Sequence, residues 1–86
     1  MSDERPIRND SVEVDEVSDG FVVYDGSRDR VHYLNQTAAL VLEFCTGENT
    51  PVDIATILKD AYRLPELPEA ETIACLDGLR TEGLIH

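Results

Sequence analysis

The chain has no tryptophan, one methionine, two cysteines and only seven basic residues among 86. Each shortage excludes something. Seven bases face eighteen acids, a net charge of −11. That field repels polyanions, and the sequence-independent part of nucleic-acid affinity comes from neutralising phosphates. The two cysteines, Cys45 and Cys75, form no C-x-x-C pair, and the only histidines are His32 and His86. Clustered Cys and His are what a structural zinc site needs, so no metal is expected. Two small buried thiols are the plain reading of the cysteines. No apolar run approaches the ~18 residues of a membrane span. The polar start of the chain lacks the apolar stretch of a secretory signal, so a cytoplasmic protein with no membrane partner is expected.

Catalytic patterns are missing as well. There is no glycine-rich phosphate loop, no G-x-S-x-G and no H-E-x-x-H. His32 could act as a base only with an orienting partner, and its place on a strand suits a surface or cross-strand role better. Asp15 and Glu16 are neighbours on a strand and point to opposite faces, which argues against a carboxylate pair. The sequence points to no enzyme, no catalytic residue and no cofactor.

What is present is a clear order of elements. Residues 1–10 are poor in apolar side chains and are expected to be a mobile segment ahead of one domain spanning residues 11–86. Val12 and Val14 alternate with Glu13, Asp15 and Glu16, and Val17 closes this first strand. Ser18-Asp19-Gly20 is a turn, and Phe21-Val22-Val23-Tyr24 a second strand. Asp25-Gly26-Ser27 begins a hairpin connection to a third strand, Arg30 to Leu34. The period then changes. Leu34, Ala38, Val41, Leu42 and Cys45 recur at helical spacing, with Asn35 as N-cap and Gly47 as the stop, predicting a helix over 35–46.

Thr50, Pro51 and Asp53 announce a second helix over 51–62 by N-cap, first-turn proline and capping box. Arg63 to Leu67, with Pro65, is a connector that cannot continue the helix, and Pro68 opens a third helix over 68–82 with the core stripe Thr72, Cys75, Leu76 and Leu79. Gly83 ends it, and Leu84 and Ile85 pack back. The fold class is therefore α+β: a three-stranded antiparallel sheet followed by three helices, in a winged helix-turn-helix arrangement. In a domain this small only ~60–65% of the unfolded surface is buried, so its stability margin is thin.

A winged helix invites a DNA-binding reading, but the third helix carries Glu69, Glu71, Asp77 and Glu82 against Arg80 alone. Helices that enter the major groove need Arg, Lys, Asn or Gln aimed at bases and phosphates. An edge strand is the better candidate surface. Its unpaired N–H and C=O groups can accept an extended peptide as an added strand. Ile73 falls on the flank of the third helix's core stripe, near Asp77 and Arg80, and could border such a groove. Peripheral packing explains Ile73 equally well. A winged-helix transcriptional regulator and a module that homodimerises through its own edge strand remain alternatives.

The stretches Asp19-Gly20-Phe21-Val22-Val23-Tyr24-Asp25 and Val31-His32-Tyr33-Leu34-Asn35-Gln36-Thr37-Ala38 resemble the PqqD-like family, with its Y-x-L-N-x-T-A pattern. Gly47, Val52-Asp53-Ile54-Ala55, Leu58, Tyr62, Leu76-Asp77-Gly78-Leu79 and Gly83-Leu84-Ile85 are similar to its other landmarks. The likeness runs from about Ser11 to Ile85. It implies a recognition element for ribosomally made, modified peptides (RiPPs). Such an element binds the leader of a precursor peptide between the third strand and third helix and presents the rest to a modifying enzyme, often a radical-SAM protein. On that resemblance the strand wall maps to Arg30, Val31, His32, Tyr33 and Leu34, and the helix wall to Ile73, Asp77 and Arg80. Two features depart from the family pattern. Thr72 and Cys75 are smaller or more polar than usual there, and Gly78 weakens the helix by ~1 kcal/mol relative to alanine.

Overall fold

The computed structural model describes residues 4–86. Strands β1 (Val12–Val17), β2 (Gly20–Asp25) and β3 (Arg30–Leu34) precede helices α1 (Gln36–Glu43), α2 (Pro51–Tyr62) and α3 (Glu69–Thr81). The strands form one antiparallel sheet in the order β1-β2-β3. This is the α+β order expected, and a winged helix-turn-helix description fits it. Register follows side-chain alternation. Val14, Val23 and His32 lie in one row facing the helices, with Val12 in the next row on the same face. Glu13, Tyr24 and Val31 form a row on the opposite face. Gly20 opens β2 at φ +151°, where a Cβ would come within 2.7 Å of the Leu34 carbonyl oxygen. The β1–β2 turn can press against the end of β3 only because that position has no side chain.

Helices α1 and α2 start where side chains cap them. Asn35 Oδ1 accepts the Ala38 N–H at 2.8 Å. Thr50 Oγ1 accepts the Asp53 N–H at 3.2 Å, while Asp53 returns the favour to the Thr50 N–H at 3.0 Å. Ile54, Ala55 and Leu58 of α2 pack with Val41 and Leu42 of α1 and Leu76 and Leu79 of α3 against Val12 and Val23 of the sheet. Burying these side chains is the main source of stability.

Helix α1 ends earlier than the predicted 46. After Glu43 the chain turns tightly, the Cys45 N–H bonding the Leu42 carbonyl at 3.1 Å. It then extends, because Cys45 and Thr46 take up partners from the start of the chain. The Arg8 N–H donates to the Cys45 carbonyl at 2.8 Å, and Ile7 bridges Thr46. On the other side Ile7 and His86 exchange two backbone bonds of 2.9 Å, and the Asn9 N–H donates to Leu84 O at 3.0 Å. Pro6 is buried. The packed body therefore takes in residues 6–9, which lie within the segment expected to be mobile. Residues 1–3 of that segment lie outside the described residues. Too few apolar side chains marked these positions in sequence, because their hold is through the backbone.

Asp25 ends β2 almost wholly buried, yet it is well supplied with donors. Its Oδ1 accepts from Ser27 Oγ (2.8 Å), Ser11 Oγ (3.0 Å) and the Ser27 N–H (3.1 Å). The Ser27 hydroxyl, foremost among these donors, holds the carboxyl below its ordinary 3.8 against the opposing effect of burial. A carboxyl with a depressed folded pKa contributes stability above its unfolded pKa, and that stability is lost as pH falls through the folded value. Acid titration followed by circular dichroism should therefore show stability declining below the ordinary carboxylate range. In Asp25→Asn the decline should be shallower. Parallel acid curves for parent and variant would remove Asp25 from this role.

Candidate functional site

Strand β3 pairs only with β2, so its other edge is unpaired among the described residues. Strand β1 also has a free edge, but Glu13, Asp15 and Glu16 crowd it, the kind of charge that discourages strand pairing. The β3 edge carries Val31, His32, Tyr33 and Leu34 instead. Helix α3 lies across from it, and no Cα of β3 comes within 8 Å of a Cα of α3. A paired strand sits ~4.8 Å from its neighbour, so the backbone of α3 does not occupy the place of a next strand beside β3.

The gap is a cleft of about 290 Å³. His32, Tyr33 and Leu34 line it from β3, and Cys75, Gly78 and Leu79 line it from α3, with Glu82 at the cap just past the helix. It continues at Cys75 into a second, more apolar hollow of about 490 Å³ bordered by Leu58, Tyr62, Leu64 and Pro68. A third hollow of about 430 Å³ lies between the helix-facing side of the sheet and α1, among Val14, Phe21 and Leu40, with Arg8 and Glu43 also in its lining. That one adjoins the acidic β1 edge.

The helical period explains the α3 wall. Positions 72, 76 and 79 face the core, and 75, 78 and 82 follow on one flank. Ile73, Asp77 and Arg80 follow on the other. Arg80 is engaged there, paired with Glu4 and lying 3.6 Å from Asp77. Ile73 is 43% exposed and is not part of the cleft lining. Of the eight residues assigned by resemblance, the cleft thus brings together His32, Tyr33 and Leu34, with Arg30 and Val31 continuing the same edge. Ile73, Asp77 and Arg80 stand on the opposite flank of α3. Cys75, Gly78 and Glu82 line the cleft, and the sequence reading did not assign these three to its helix wall. Gly78 offered a signal. A Cβ there would meet nothing within 4 Å, so neither packing nor backbone strain calls for glycine. Its missing side chain leaves the cleft open.

Inside the cleft, His32 Nδ1 stands 3.5 Å from Glu82 Oε2, spanning the two walls. The other ring nitrogen, Nε2, is buried without a hydrogen-bond partner among the described residues. An unsatisfied buried polar atom carries a desolvation penalty that an incoming polar group could relieve. Both cysteines are free. Burial pushes the Cys45 thiol up to about 12 and raises that of Cys75, so both are protonated at neutral pH and poor nucleophiles. Among the described residues no group of three or more His, Cys, Asp or Glu is placed to hold a metal. No helix among them is long and apolar enough to cross a membrane. The arrangement offers an unpaired edge and a groove beside it.

Two solved structures share this architecture. A lasso peptide synthetase B1 complexed with the leader peptide matches at 25% identity and a TM-score of 0.78, over 96% of this chain and 99% of that one. TbiB1 in complex with the TbiA(beta) leader peptide matches in fold at 16% identity and a TM-score of 0.77, over 93% of this chain and 94% of that one. Among curated proteins nothing matches. The family described as coenzyme PQQ synthesis protein D matches residues 20–85, from the start of β2 through α3 to the tail, and the chain belongs to this PqqD family.

Proposed function

We propose that this protein is a non-catalytic binding module. It captures the leader of a ribosomally made precursor peptide as a fourth strand on β3 and presents the remainder to a modifying enzyme, of the radical-SAM class among others. The observation that carries the reading is the unpaired β3 edge facing α3 across a gap wider than 8 Å. Leader peptides bound to the two structural relatives support it.

Backbone groups of alternate β3 residues supply the affinity, because N–H and C=O point outward at every second position of an edge strand. Peptide side chains on the inner face enter the cleft between His32 and Leu34 on one side and Cys75, Gly78 and Leu79 on the other. The proposed site is Arg30 to Leu34 with Cys75, Gly78 and Glu82, and the helix wall passes from Ile73, Asp77 and Arg80 to these three. The acidic field, −11 overall, opposes nucleic acid as the ligand and with it the transcriptional-regulator reading.

Calorimetry against the precursor peptide should show saturable binding, and a leaderless core peptide should show none. Amide exchange should slow along β3 on binding. Proline at either Val31 or His32, whichever N–H faces the open edge, should weaken binding more than alanine at the same place. Equal binding of the leaderless peptide, or protection confined to other elements, would sink the assignment.

A further inference from the structure

The face of the sheet turned away from the helices has no cover among the described residues. Two cross-strand rows run over it: Glu13–Tyr24–Val31 and Asp15–Val22–Tyr33. Tyr33 is 80% exposed, Val31 53% and Tyr24 40%. Each row begins with a carboxylate on β1 and becomes apolar or aromatic toward β3. The Tyr24 hydroxyl bonds Asp29 Oδ1 at 3.1 Å, adding a third carboxylate at the rim. A contiguous apolar patch with a polar border is the usual mark of an interaction surface.

We propose that this face docks the peptide-modifying enzyme, through an apolar surface bordered by Lys and Arg. The identity of the partner rests on the peptide-capture reading; the chemistry of the partner rests on the face itself. None of its outward positions on the three strands carries a base. A second copy of the chain would therefore set carboxylates over apolar groups or other carboxylates with no cation to meet them, at −11 per copy. Anionic lipid and nucleic acid meet the same repulsion. A basic-rimmed protein surface satisfies both halves of each row. The face is also continuous with the proposed peptide site, since Val31 and Tyr33 belong to β3. A strand added at that edge becomes the next strand of this same sheet, which sets an enzyme docked here against the captured peptide.

The test uses the full chain and the purified enzyme that modifies the bound precursor. Glu13→Lys combined with Asp15→Lys, and separately Tyr24→Lys, change β1 and β2 without touching the peptide cleft. Both variants should bind the leader within about twofold of the parent. Both should bind the enzyme at least about tenfold more weakly, as for loss of a central interface contact. Parent–enzyme affinity should fall as salt rises. Unchanged enzyme affinity in both variants overturns the proposal. So does a parent dimer in sedimentation that the variants dissolve, because a second copy would then cover the face. Enzyme binding that is lost in the variants while the parent binds no leader would instead defeat the peptide-capture reading and leave the docking face standing.

Discussion

Gly78→Trp is expected to abolish peptide binding while the domain stays folded, and Ile73→Asp is expected to bind like the parent. Gly78 is exposed on α3, and a side chain there meets nothing within 4 Å of its Cβ. Glycine is also the poorer helix former of the two residues, so the helix itself gains slightly from the change. An indole rooted at this point projects into a cleft of only about 290 Å³ and takes the space of the peptide's inward side chains. A loss of at least a hundredfold, ~2.7 kcal/mol, is expected in calorimetry. Ile73 lies on the other flank and is half in solvent, so a carboxylate there neither enters the cleft nor disturbs the core. Circular dichroism melts should be run on both variants. If Ile73→Asp abolishes binding and Gly78→Trp does not, the leader lies on the Ile73 flank of α3.

The second large effect is on stability. Ile54 is fully buried near the start of α2, in the same core cluster as residues of α1 and α3. Replacing it by alanine removes three carbons' worth of contact and leaves a cavity, a change that costs ~2–5 kcal/mol. Domains are stable by ~0.05–0.15 kcal/mol per residue, so at its upper end this loss matches the low end of the margin of a chain this size. Urea titration should show the midpoint move sharply, with a substantial unfolded fraction in water at the upper end of the range. A shift worth less than ~1 kcal/mol would mean the core reorganises to fill the space.

The two results depend on different kinds of information, and the sequence carried them unequally. Helix α2 was legible to the residue because Thr50, Pro51 and Asp53 each encode a local bond or a fixed torsion. The three strands were legible because alternation and turn residues are also local. Helix α1 ran short of expectation because residues 45 and 46 are held by residues 7 and 8, almost forty positions away in the chain. The cleft was half legible. An edge on β3 follows from strand order, but the core stripe of α3 has two flanks, and nothing in its own period says which one β3 will face. Ile73 looked the better wall because it is apolar; Gly78 looked like a weakness in a helix. Only the placement of the sheet distinguishes them.

The paired bonds between Ile7 and His86 make the chain nearly a ring. Joining those two points by a short flexible linker asks for little movement, and a cut elsewhere then creates new ends. The exposed connector at Pro65 and Glu66, between α2 and α3, is well placed for that cut. A circularly permuted chain beginning at Glu66 should reach the same fold, with α3 leading and the sheet in the middle. In such a chain the two walls of the cleft are synthesised in reverse order without any change in their final spacing. The same closeness means that a fusion partner joined at Ile7 or at His86 emerges from one spot on the surface, on the clasp formed by residues 6–9 and the tail.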